Sequence, residues 1–338
     1  MKKIFVTGAA GYIGSHTCVE LLNAGFDVLA FDNLCNSSSI AIQRVETITG
    51  KRLPFVKGDV RNPASLTEVL QQYKPDAVIH FAGLKAVGES VEKPLDYYDN
   101  NVQGSLNLVR CMQALGIKNL VFSSSATVYG DPEFIPLTET AALRTTNPYG
   151  ASKLMVENIL RDFYASQAGW GIALLRYFNP VGAHKSGLIG EDPRGIPNNL
   201  MPFVAQVAVG RRAALSVYGN DYNTPDGTGV RDYIHVLDLA RGHLAAVNAL
   251  LASPRLVTVN LGTGQGYSVL DMVKAFEQAS GKPVPFNVVA RRPGDIATCY
   301  SDPALALSEL GWRAEENLQT MCEDAWRWQS ANPHGFEA

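Results

Sequence analysis

The first thirty-two residues restrict the possible folds more than any other part of the chain. Apolar residues 4–6 predict a strand that runs into a turn with three glycines, and residues 18–22 predict an apolar helix. A second strand, at 27–31, ends on Asp32. The order strand, glycine turn, helix, strand and acid predicts a βαβ unit whose turn binds a dinucleotide.

The three glycines of this turn are Gly8, Gly11 and Gly14. Gly8 permits a tight turn, Gly11 lets the backbone approach a pyrophosphate, and Gly14 lets the helix pack on the strand. Amides at the helix N-terminus then hold the phosphates. The spacing G-x-x-G-x-x-G differs from the usual G-x-G-x-x-G, and glycines alone also occur in loops that only need positive φ. The surrounding strand, helix and acid favour the dinucleotide interpretation.

Asp32 lies eighteen residues after Gly14, close to the spacing at which an acid accepts a hydrogen bond from the ribose 2′-hydroxyl. Residues 33–37 contain no arginine or lysine that could neutralise a 2′-phosphate. The sequence therefore favours NAD over NADP as the cofactor.

Strand and helix patterns continue to alternate after Asp32, with helical patterns at 40–49 and 66–72 and strands at 53–56 and 77–81. This alternation predicts an α/β fold with a doubly wound parallel Rossmann sheet. The carboxyl ends of its strands would line one cofactor through four turns, at Gly8, Asp32, Asp59 and Ala82-Gly83.

Composition excludes several classes of function. The 338 residues suffice for two lobes, and a net charge of −3 with scattered basic residues provides no electrostatic site for nucleic acid. Five cysteines and six histidines form no CxxC pair and no HExxH cluster, so neither a disulfide framework nor a metal site is expected. No apolar run approaches the ~20 residues that span a bilayer. We expect a cytoplasmic protein that binds neither membrane nor nucleic acid.

A second group of residues predicts chemistry. A strand at 119–122 ends in three serines, the last of which is Ser125, and a helix begins after Asn147 and Pro148. Asparagine suits the N-cap of a helix, and proline suits its first position. Tyr149 and Lys153 are four residues apart and therefore lie on one face of that helix.

A lysine ammonium beside a phenol favours the phenolate, so Lys153 is expected to lower the pKa of Tyr149. Tyr149 then becomes a candidate general base and acid. The pattern Y-x-x-x-K alone is common by chance, and three serines can simply form a turn. Their combination with the dinucleotide turn favours a catalytic role.

These residues together resemble the extended short-chain dehydrogenase/reductase family, and within it the UDP-galactose 4-epimerases. The glycine turn and the Tyr149–Lys153 pair are typical of the wider family. The resemblance extends over almost the whole chain, through stretches at 7–16, 80–90, 123–130, 149–153, 175–182, 196–202 and 229–236.

The resemblance implies roles for individual residues. Ser125 would hydrogen-bond the sugar 4-oxygen, Tyr149 would move its proton, and Lys153 would bind the nicotinamide ribose. Besides the glycines and Ala82-Gly83, NAD would contact Tyr12, Ile13, Asp32, Asn33, Asn36, Ser37, Asp59, Val60, Phe81, Lys85, Asn100 and Phe178. The UDP-hexose substrate would contact Asn179, Asn199, Leu200, Ser216, Val217, Tyr218, Arg231, Arg292 and Asp295.

Arginines at 231 and 292 suit this role, since a guanidinium matches diphosphate oxygens bidentately. The alternative is ordinary surface charge, which we expect for Arg211 and Arg212. A further glycine cluster at 262–266 is interpreted as a loop, because no second βαβ unit with an acid follows it.

The resemblance implies an epimerase in which Tyr149 takes the 4-hydroxyl proton while hydride leaves C4 for tightly bound NAD. The 4-keto sugar turns over, and hydride returns to its other face. A 4,6-dehydratase is the nearest alternative, but such enzymes carry an Asp-Glu pair where this chain has Ala126 and Thr127. A non-catalytic NAD-sensing protein is another alternative, and the retained proton shuttle argues against it.

Cys299 departs from the common bacterial pattern, in which a tyrosine at this position faces the sugar. A thiol leaves room for a larger substituent at C2, so we expect the N-acetylated pair UDP-GlcNAc and UDP-GalNAc to be accepted as well. In the alternative, a shift of one residue places Tyr300 in the pocket instead.

The sequence predicts an NAD-binding Rossmann domain at 1–180, to which a strand near 257–261 returns. Residues 181–338 are expected to form mainly a smaller, mixed α/β domain that binds the UDP-sugar. The resemblance also implies a homodimer, in which helices near 97–115 and 149–165 pair between subunits.

Overall fold

The computed structural model describes residues 1–193, 195, 197–292 and 295–336. The other positions, which are 194, 196, 293, 294, 337 and 338, fall within the predicted domain at 181–338, and this part of the prediction lies outside the described residues.

We number the strands in chain order. They are β1 Lys3–Thr7, β2 Asp27–Asp32, β3 Phe55–Lys57, β4 Ala77–His80, β5 Asn119–Ser125, β6 Gly171–Tyr177, β7 Asn179–Val181, β8 Leu215–Tyr218, β9 Val230–His235, β10 Leu256–Leu261, β11 Gly266–Ser268, β12 Phe286–Val289 and β13 Thr298–Cys299.

The helices are numbered in the same way. They are α1 Tyr12–Asn23, α2 Ser39–Thr49, α3 Pro63–Tyr73, α4 Val87–Glu92, α5 Pro94–Tyr97, α6 Gly104–Leu115, α7 Pro148–Ser166, α8 Leu200–Ala208, α9 Val236–Ala252, α10 Val269–Ser280, α11 Ala304–Leu310 and α12 Leu318–Ala331. A π-helical segment, Tyr98–Gln103, joins α5 to α6, and a 3-10 turn, Ala126–Val128, follows β5. Within the described ranges, no helix is both long and apolar enough to cross a membrane.

Seven parallel strands form the central sheet, in the order β10-β6-β5-β4-β1-β2-β3. Every residue of β4 and of β6 is buried, as expected for parallel strands that are covered on both faces. Helices α1, α2 and α9 pack with one apolar cluster, and α3, α6 and α7 pack with another. This arrangement confirms the predicted doubly wound sheet and brings the carboxyl ends of its strands to one edge.

The second half of the chain forms smaller sheets. Strand β9 pairs with β7, β11 and β13, and β8 pairs with β12. A further apolar cluster lies among α8, α10 and α12. The strand β10 is the edge strand of the central sheet, where it pairs in parallel with β6.

Several predicted elements have other bounds in the structure, and two of the differences are informative. The strand expected at 53–56 starts at Phe55, because Pro54 has no N–H to donate to the ladder. The helix expected from Tyr97 to Leu115 is not uniform, since its first part is the π-helical segment.

The glycine cluster at 262–266 is a loop up to the start of β11, as predicted. The amides of Thr263 and Gly264 donate to the Asp232 carboxylate at 2.9 and 3.1 Å. The protein's own acid therefore occupies the donors that a phosphate would need.

Candidate active site

A cleft of about 580 Å³ opens at the carboxyl edge of the central sheet. The turns after β1, β2 and β4 line it, together with Tyr149 and Lys153 of α7. The predicted cofactor residues that line it are Gly8, Gly11, Tyr12, Ile13, Gly14, Asp32, Asn33, Asn36, Ser37, Val60, Phe81, Ala82, Gly83, Lys85 and Asn100. Its described lining does not include Asp59 or Phe178.

The glycine turn is too compact for side chains at two of its positions. Gly8 has a φ of +69°, and a Cβ there would lie 2.7 Å from the Ala82 amide nitrogen. A Cβ at Gly14 would lie 2.1 Å from the Gly8 carbonyl oxygen. Gly11 is the N-cap of α1 and has no side chain that could cap the first turn of the helix. The backbone amides of that turn therefore face the cleft, as a phosphate site requires.

The Asp32 carboxylate is held rigidly at the end of β2. Its Oδ2 accepts from the Ala10 amide at 3.0 Å, and its Oδ1 accepts from the Leu34 amide and the Ser37 hydroxyl at 2.8 and 2.9 Å. Asp32 is only 7% exposed. A carboxylate fixed in this way can accept a hydrogen bond from a ribose hydroxyl and loses little further conformational freedom when it does so.

Asn33 and Asp59 form a second polar pair beside Asp32. The Asn33 amide donates to Asp59 Oδ2 at 3.0 Å. Hydrogen bonds from Arg61 hold the pKa of Asp59 well below its usual range. Asp59 therefore remains an anion and orients Asn33, which lines the cleft.

Ser125 ends β5 and caps the 3-10 turn. Its Oγ accepts from both the amide and the hydroxyl of Thr127, at 3.2 and 3.0 Å. A serine oxygen that accepts twice still has its own proton to donate. Burial raises the pKa of Tyr149, and the nearby Ser125 side chain partly offsets this rise, so the two predicted catalytic groups lie together.

Lys153 is 5% exposed and donates to the Ser123 carbonyl at 2.7 Å. Its Nζ lies 6.0 Å from the centre of the Tyr149 ring. Burial lowers the pKa of Lys153 to about 8, and burial raises that of Tyr149. The net shift of the Tyr149 pKa is therefore upward, opposite to the lowering expected from Lys153, because desolvation dominates.

The N-terminus of α7 follows the prediction. The Asn147 side chain accepts from the Gly150 amide at 2.9 Å, and Pro148 occupies the first turn. This cap fixes where α7 starts, and hence where Tyr149 and Lys153 point.

The residues predicted to bind the UDP-sugar lie in two groups near the second half of the chain. In the first group, Arg231 of β9 is the cross-strand neighbour of Cys299, and Asn179 of β7 is that of Tyr233. In the second, the Arg292 guanidinium lies 4.4 Å from the centre of the Tyr218 ring and pairs with Asp295 at 3.1 Å.

The remaining predicted substrate residues are more dispersed. Ser216 and Val217 precede Tyr218 in β8, where the Val217 side chain is buried in the apolar cluster of this half. Leu200 begins α8, and Asn199 is its N-cap. Val217 has only its backbone available for a contact with the substrate, because its side chain packs in that cluster.

Cys299 belongs to a small apolar cluster with Val128, Leu137 and Phe178. This cluster packs beside the 3-10 turn that follows Ser125. A Cβ added at Gly266 would lie 3.2 Å from the Tyr300 ring, which places that ring elsewhere. Burial raises the pKa of Cys299 to about 11, so its thiol is neutral.

Sequence reasoning missed several residues of the cleft, which are Cys35, Ser38, Leu84, Tyr177, Glu191, Asp192, Arg211, His334 and Phe336. Arg211, expected to be ordinary surface charge, is exposed at the rim. Glu191 accepts from Lys85 at 2.9 Å and from Asn199 at 2.8 Å. The acidic run Glu191-Asp192 was the available signal, but no local pattern placed it opposite the glycine turn.

The described residues hold no group of three or more His, Cys, Asp or Glu side chains that could bind a metal ion.

Comparison with known proteins gives consistent results. The profile of the family described as GDP-mannose 4,6-dehydratase matches residues 5–325. The UDP-glucose 4-epimerase of Bacillus subtilis is 60% identical over 335 residues, which cover 99% of each chain. The human UDP-glucose 4-epimerase is 56% identical over 342 residues, which cover 99% of this chain and 98% of the human one.

Solved structures of such enzymes are also similar to this chain in fold and in sequence. UDP-glucose 4-epimerase from Bifidobacterium longum, in complex with NAD⁺ and UDP, aligns with a TM-score of 0.96 at 55% identity, covering 99% of this chain and 100% of that one. The enzyme from Stenotrophomonas maltophila, with bound NAD and formylated UDP-arabinopyranose, aligns with a TM-score of 0.97 at 51% identity, covering 98% and 99%.

Proposed function

The chain belongs to the UDP-glucose 4-epimerases of the extended short-chain dehydrogenase/reductase family, and on this premise we propose how its residues interconvert UDP-glucose and UDP-galactose with NAD. The observation that carries the proposal is the meeting of Ser125, Tyr149 and Lys153 beside a glycine-turn cleft. Ala126 and Thr127 follow Ser125 where a 4,6-dehydratase would carry an acidic pair, which weakens that alternative despite the name of the matching profile.

The cleft fits NAD. The turn at Gly8 and Gly14 has no space for a Cβ, as a backbone that closely approaches a pyrophosphate requires. Asp32 is positioned to accept the ribose hydroxyls, and Asn33, Asn36, Ser37, Val60 and Asn100 supply the neighbouring wall. NAD supplies a reversible hydride acceptor for C4 of the hexose.

The chain's own groups handle the proton. Tyr149 removes the proton of the sugar 4-hydroxyl and returns it after the 4-keto sugar has turned over. Ser125 keeps a proton to donate, because Thr127 fills the acceptor positions of its oxygen. Lys153, fixed by the Ser123 carbonyl, orients the nicotinamide ribose. Asp59 and Phe178 complete the cofactor contacts from behind the cleft wall.

The UDP-sugar is held by the second half of the chain. Arg231 and Arg292 bind the diphosphate, while Tyr218, Asp295 and Asn179 contact the nucleoside. Asn199, Leu200, Ser216 and Val217 complete this surface. We assign residues 1–180, with β10, to the NAD-binding domain, and most of 181–338 to the domain that binds the UDP-sugar.

The quaternary state in this proposal is a homodimer through helices near 97–115 and 149–165. Apolar side chains near these helices are exposed in the single chain: Met155 at 45%, Val91 at 64% and Leu95 at 79%. Exposed apolar groups of this kind mark association surfaces when they are contiguous. Cys18, Cys111, Cys299 and Cys322 are buried free thiols, as is common in the cytoplasm, where we place the protein.

Cys299 extends the substrate range in this proposal. Its small, neutral side chain lies in the cluster beside the 3-10 turn after Ser125, and there it leaves space for an N-acetyl group at C2. Cys299→Tyr should reduce turnover of UDP-GlcNAc about 10- to 100-fold, while UDP-galactose is still converted. A variant that keeps its N-acetyl turnover would refute this extension.

The first experiment incubates the purified protein with UDP-galactose and, separately, with UDP-GlcNAc, with no NAD added. Interconversion of both supports a retained cofactor and the wide pocket. Conversion of UDP-galactose alone refutes the wide pocket and leaves the epimerase. If neither is converted, even with NAD supplied, the non-catalytic NAD-binding alternative is favoured.

A further inference from the structure

A row of buried polar side chains crosses the central sheet beneath the proposed catalytic residues. Ser124 of β5, Arg176 of β6 and Asn260 of β10 are cross-strand neighbours in register. All three are at most 1% exposed. Such a buried row, on the edge strand β10 and the next two strands of the sheet, requires hydrogen-bond partners for every member.

Glu157 of α7 is the main partner of this row. It is fully buried and forms a salt bridge with Arg176, with 2.6 Å between Glu157 Oε2 and Arg176 Nη2. The Arg176 Nε also donates to Glu157 Oε1, at 2.9 Å, and the Ser124 hydroxyl donates to the same oxygen at 2.5 Å. The carboxylate therefore ties α7 to two adjacent strands at once.

The spacing along α7 connects Glu157 to the catalytic groups. Tyr149, Lys153 and Glu157 are each four residues apart and share one face of the helix. Their partners are three consecutive residues of β5. Ser125 lies near enough to Tyr149 to influence its pKa, the Ser123 carbonyl accepts from Lys153, and Ser124 donates to Glu157. Three successive turns of α7 are thus matched to one short stretch of strand.

The same row also holds the segment that follows Ser125. Arg176 donates to the Tyr129 hydroxyl at 3.1 Å, and that hydroxyl donates to Asn260 Oδ1 at 2.6 Å. The Asn260 side-chain amide donates to the Leu137 carbonyl at 2.8 Å. The helix α7 and the segment that follows Ser125 are therefore both held by the buried pair of Glu157 and Arg176.

We propose that Glu157, held by Arg176, is a positioning residue that fixes the register of α7 against β5 and so sets the distance between Tyr149, Ser125 and the reacting sugar. The inference rests on the proposed function, since it concerns the rate of the epimerisation step. Glu157 is fully buried and is not among the described residues that line the cleft, so its effect is exerted through the placement of Tyr149 and Lys153.

Stability alone does not account for this pair. Burying two charges removes both from water, and replacing a buried ion pair by apolar side chains of similar volume is often neutral or stabilising. Catalysis, in contrast, is sensitive to sub-ångström placement, and a misplacement of about 1 Å can reduce a rate about 100-fold. The two roles therefore predict different behaviour when the whole pair is replaced.

The test compares Glu157→Gln with the double variant Glu157→Met, Arg176→Met in the holoenzyme. For each we measure the thermal midpoint, the NAD bound per chain, and kcat and KM for UDP-galactose. Glu157→Gln should lower the midpoint and reduce kcat about 100-fold, with KM and bound NAD unchanged. The double variant should recover part of the midpoint, because the Ser124 hydroxyl loses its partner, and it should remain slow.

Asp238→Asn is the matched control. Asp238 is also fully buried, and it accepts from the Glu315 and Glu316 amides at 3.0 and 2.8 Å, away from the cleft. This variant should lose stability and keep its kcat. If kcat in the double variant recovers together with the midpoint, or if KM rises in its place, the inference is wrong. If Glu157→Gln does not fold, the kcat of the double variant alone decides whether the inference holds.

Inactivity of the wild type and of Asp238→Asn would count against the proposed function. Active wild type with a fully active double variant would count against the positioning role.

Discussion

Burial sets the protonation state of several side chains around the cleft. Lys153 and Tyr149 both have pKa values displaced by desolvation, the lysine to about 8 and the tyrosine upwards. Burial also lowers the pKa values of three histidines. Burial lowers the pKa of His16 and of His80 to about 3, and that of His243 to about 4. The folded protein therefore holds these imidazoles neutral well below pH 6.

This difference predicts loss of stability in mild acid. The unfolded chain binds a proton at each histidine near pH 6.5, whereas the folded chain does not, so the free energy of unfolding falls as pH falls below about 6.5. Each histidine contributes about 1.4 kcal/mol per pH unit. We expect the three together to contribute about 4 kcal/mol per pH unit between about pH 6 and pH 5.

His243→Phe isolates one of these contributions. The His243 ring packs against Phe81 and Tyr177, and its Nε2 is buried without a hydrogen-bond partner in the described residues. The substitution should reduce the pH dependence of the urea unfolding free energy by about 1.4 kcal/mol per pH unit. An unchanged slope in His243→Phe would contradict the assignment.

At the scale of elements, the π-helical segment between α5 and α6 contributes to the shape of the site. It contains Asn100, which lines the cleft, and Asn101, which is 3% exposed. The Asn101 Oδ1 accepts from the Leu84 amide at 2.8 Å, and its Nδ2 donates to the Leu84 carbonyl and the Ser152 hydroxyl, both at 3.0 Å. The segment thus joins the loop after β4 to α7. Single-turn π segments are frequent at functional sites.

Asn101→Asp tests this connection. The substitution keeps the acceptor for Leu84 and removes both donors, which should reduce the unfolding free energy by about 1–3 kcal/mol. NAD should also be lost faster on dilution, because the Leu84 loop borders the cleft. Asn119→Asp is the control, since Asn119 donates to the Asp76 carbonyl at 3.0 Å at the far end of β5. Equal NAD retention in both variants would refute the role of Asn101.

At the scale of the whole molecule, distance along the chain separates what the sequence predicts from what it does not. The contact of Gly14 with Gly8, the Asn147 cap and the Tyr149–Lys153 spacing each depend on residues that are close along the chain, and all three are visible in the sequence. The close approach of Gly8 to Ala82 joins distant parts of the chain and is not visible there. The Glu157–Arg176 pair and the approach of Glu191 to Lys85 depend on tertiary packing. The π-helical segment has no compositional signal of its own, and a period of 3.6 residues predicts an uninterrupted helix there.

The prediction of a lowered pKa for Tyr149 missed the effect of burial for a related reason. Residue spacing places Lys153 on the same face of α7 as Tyr149, but it does not reveal that the ammonium is drawn to the Ser123 carbonyl. Nor does it reveal how far water is excluded from the phenol. The pKa of Tyr149 therefore depends on burial and on partners across the sheet, which the helix pattern alone does not show.

The central claim is that C4 of the hexose gives its hydride to NAD and takes the same hydride back within one cleft. The direct measurement is the conversion of UDP-galactose carrying deuterium at C4, in ordinary water and with no NAD added. Epimerisation through retained NAD predicts that the UDP-glucose product keeps its deuterium at C4. Replacement of that deuterium by solvent hydrogen would contradict the account, since it would require C4 to exchange a proton with water.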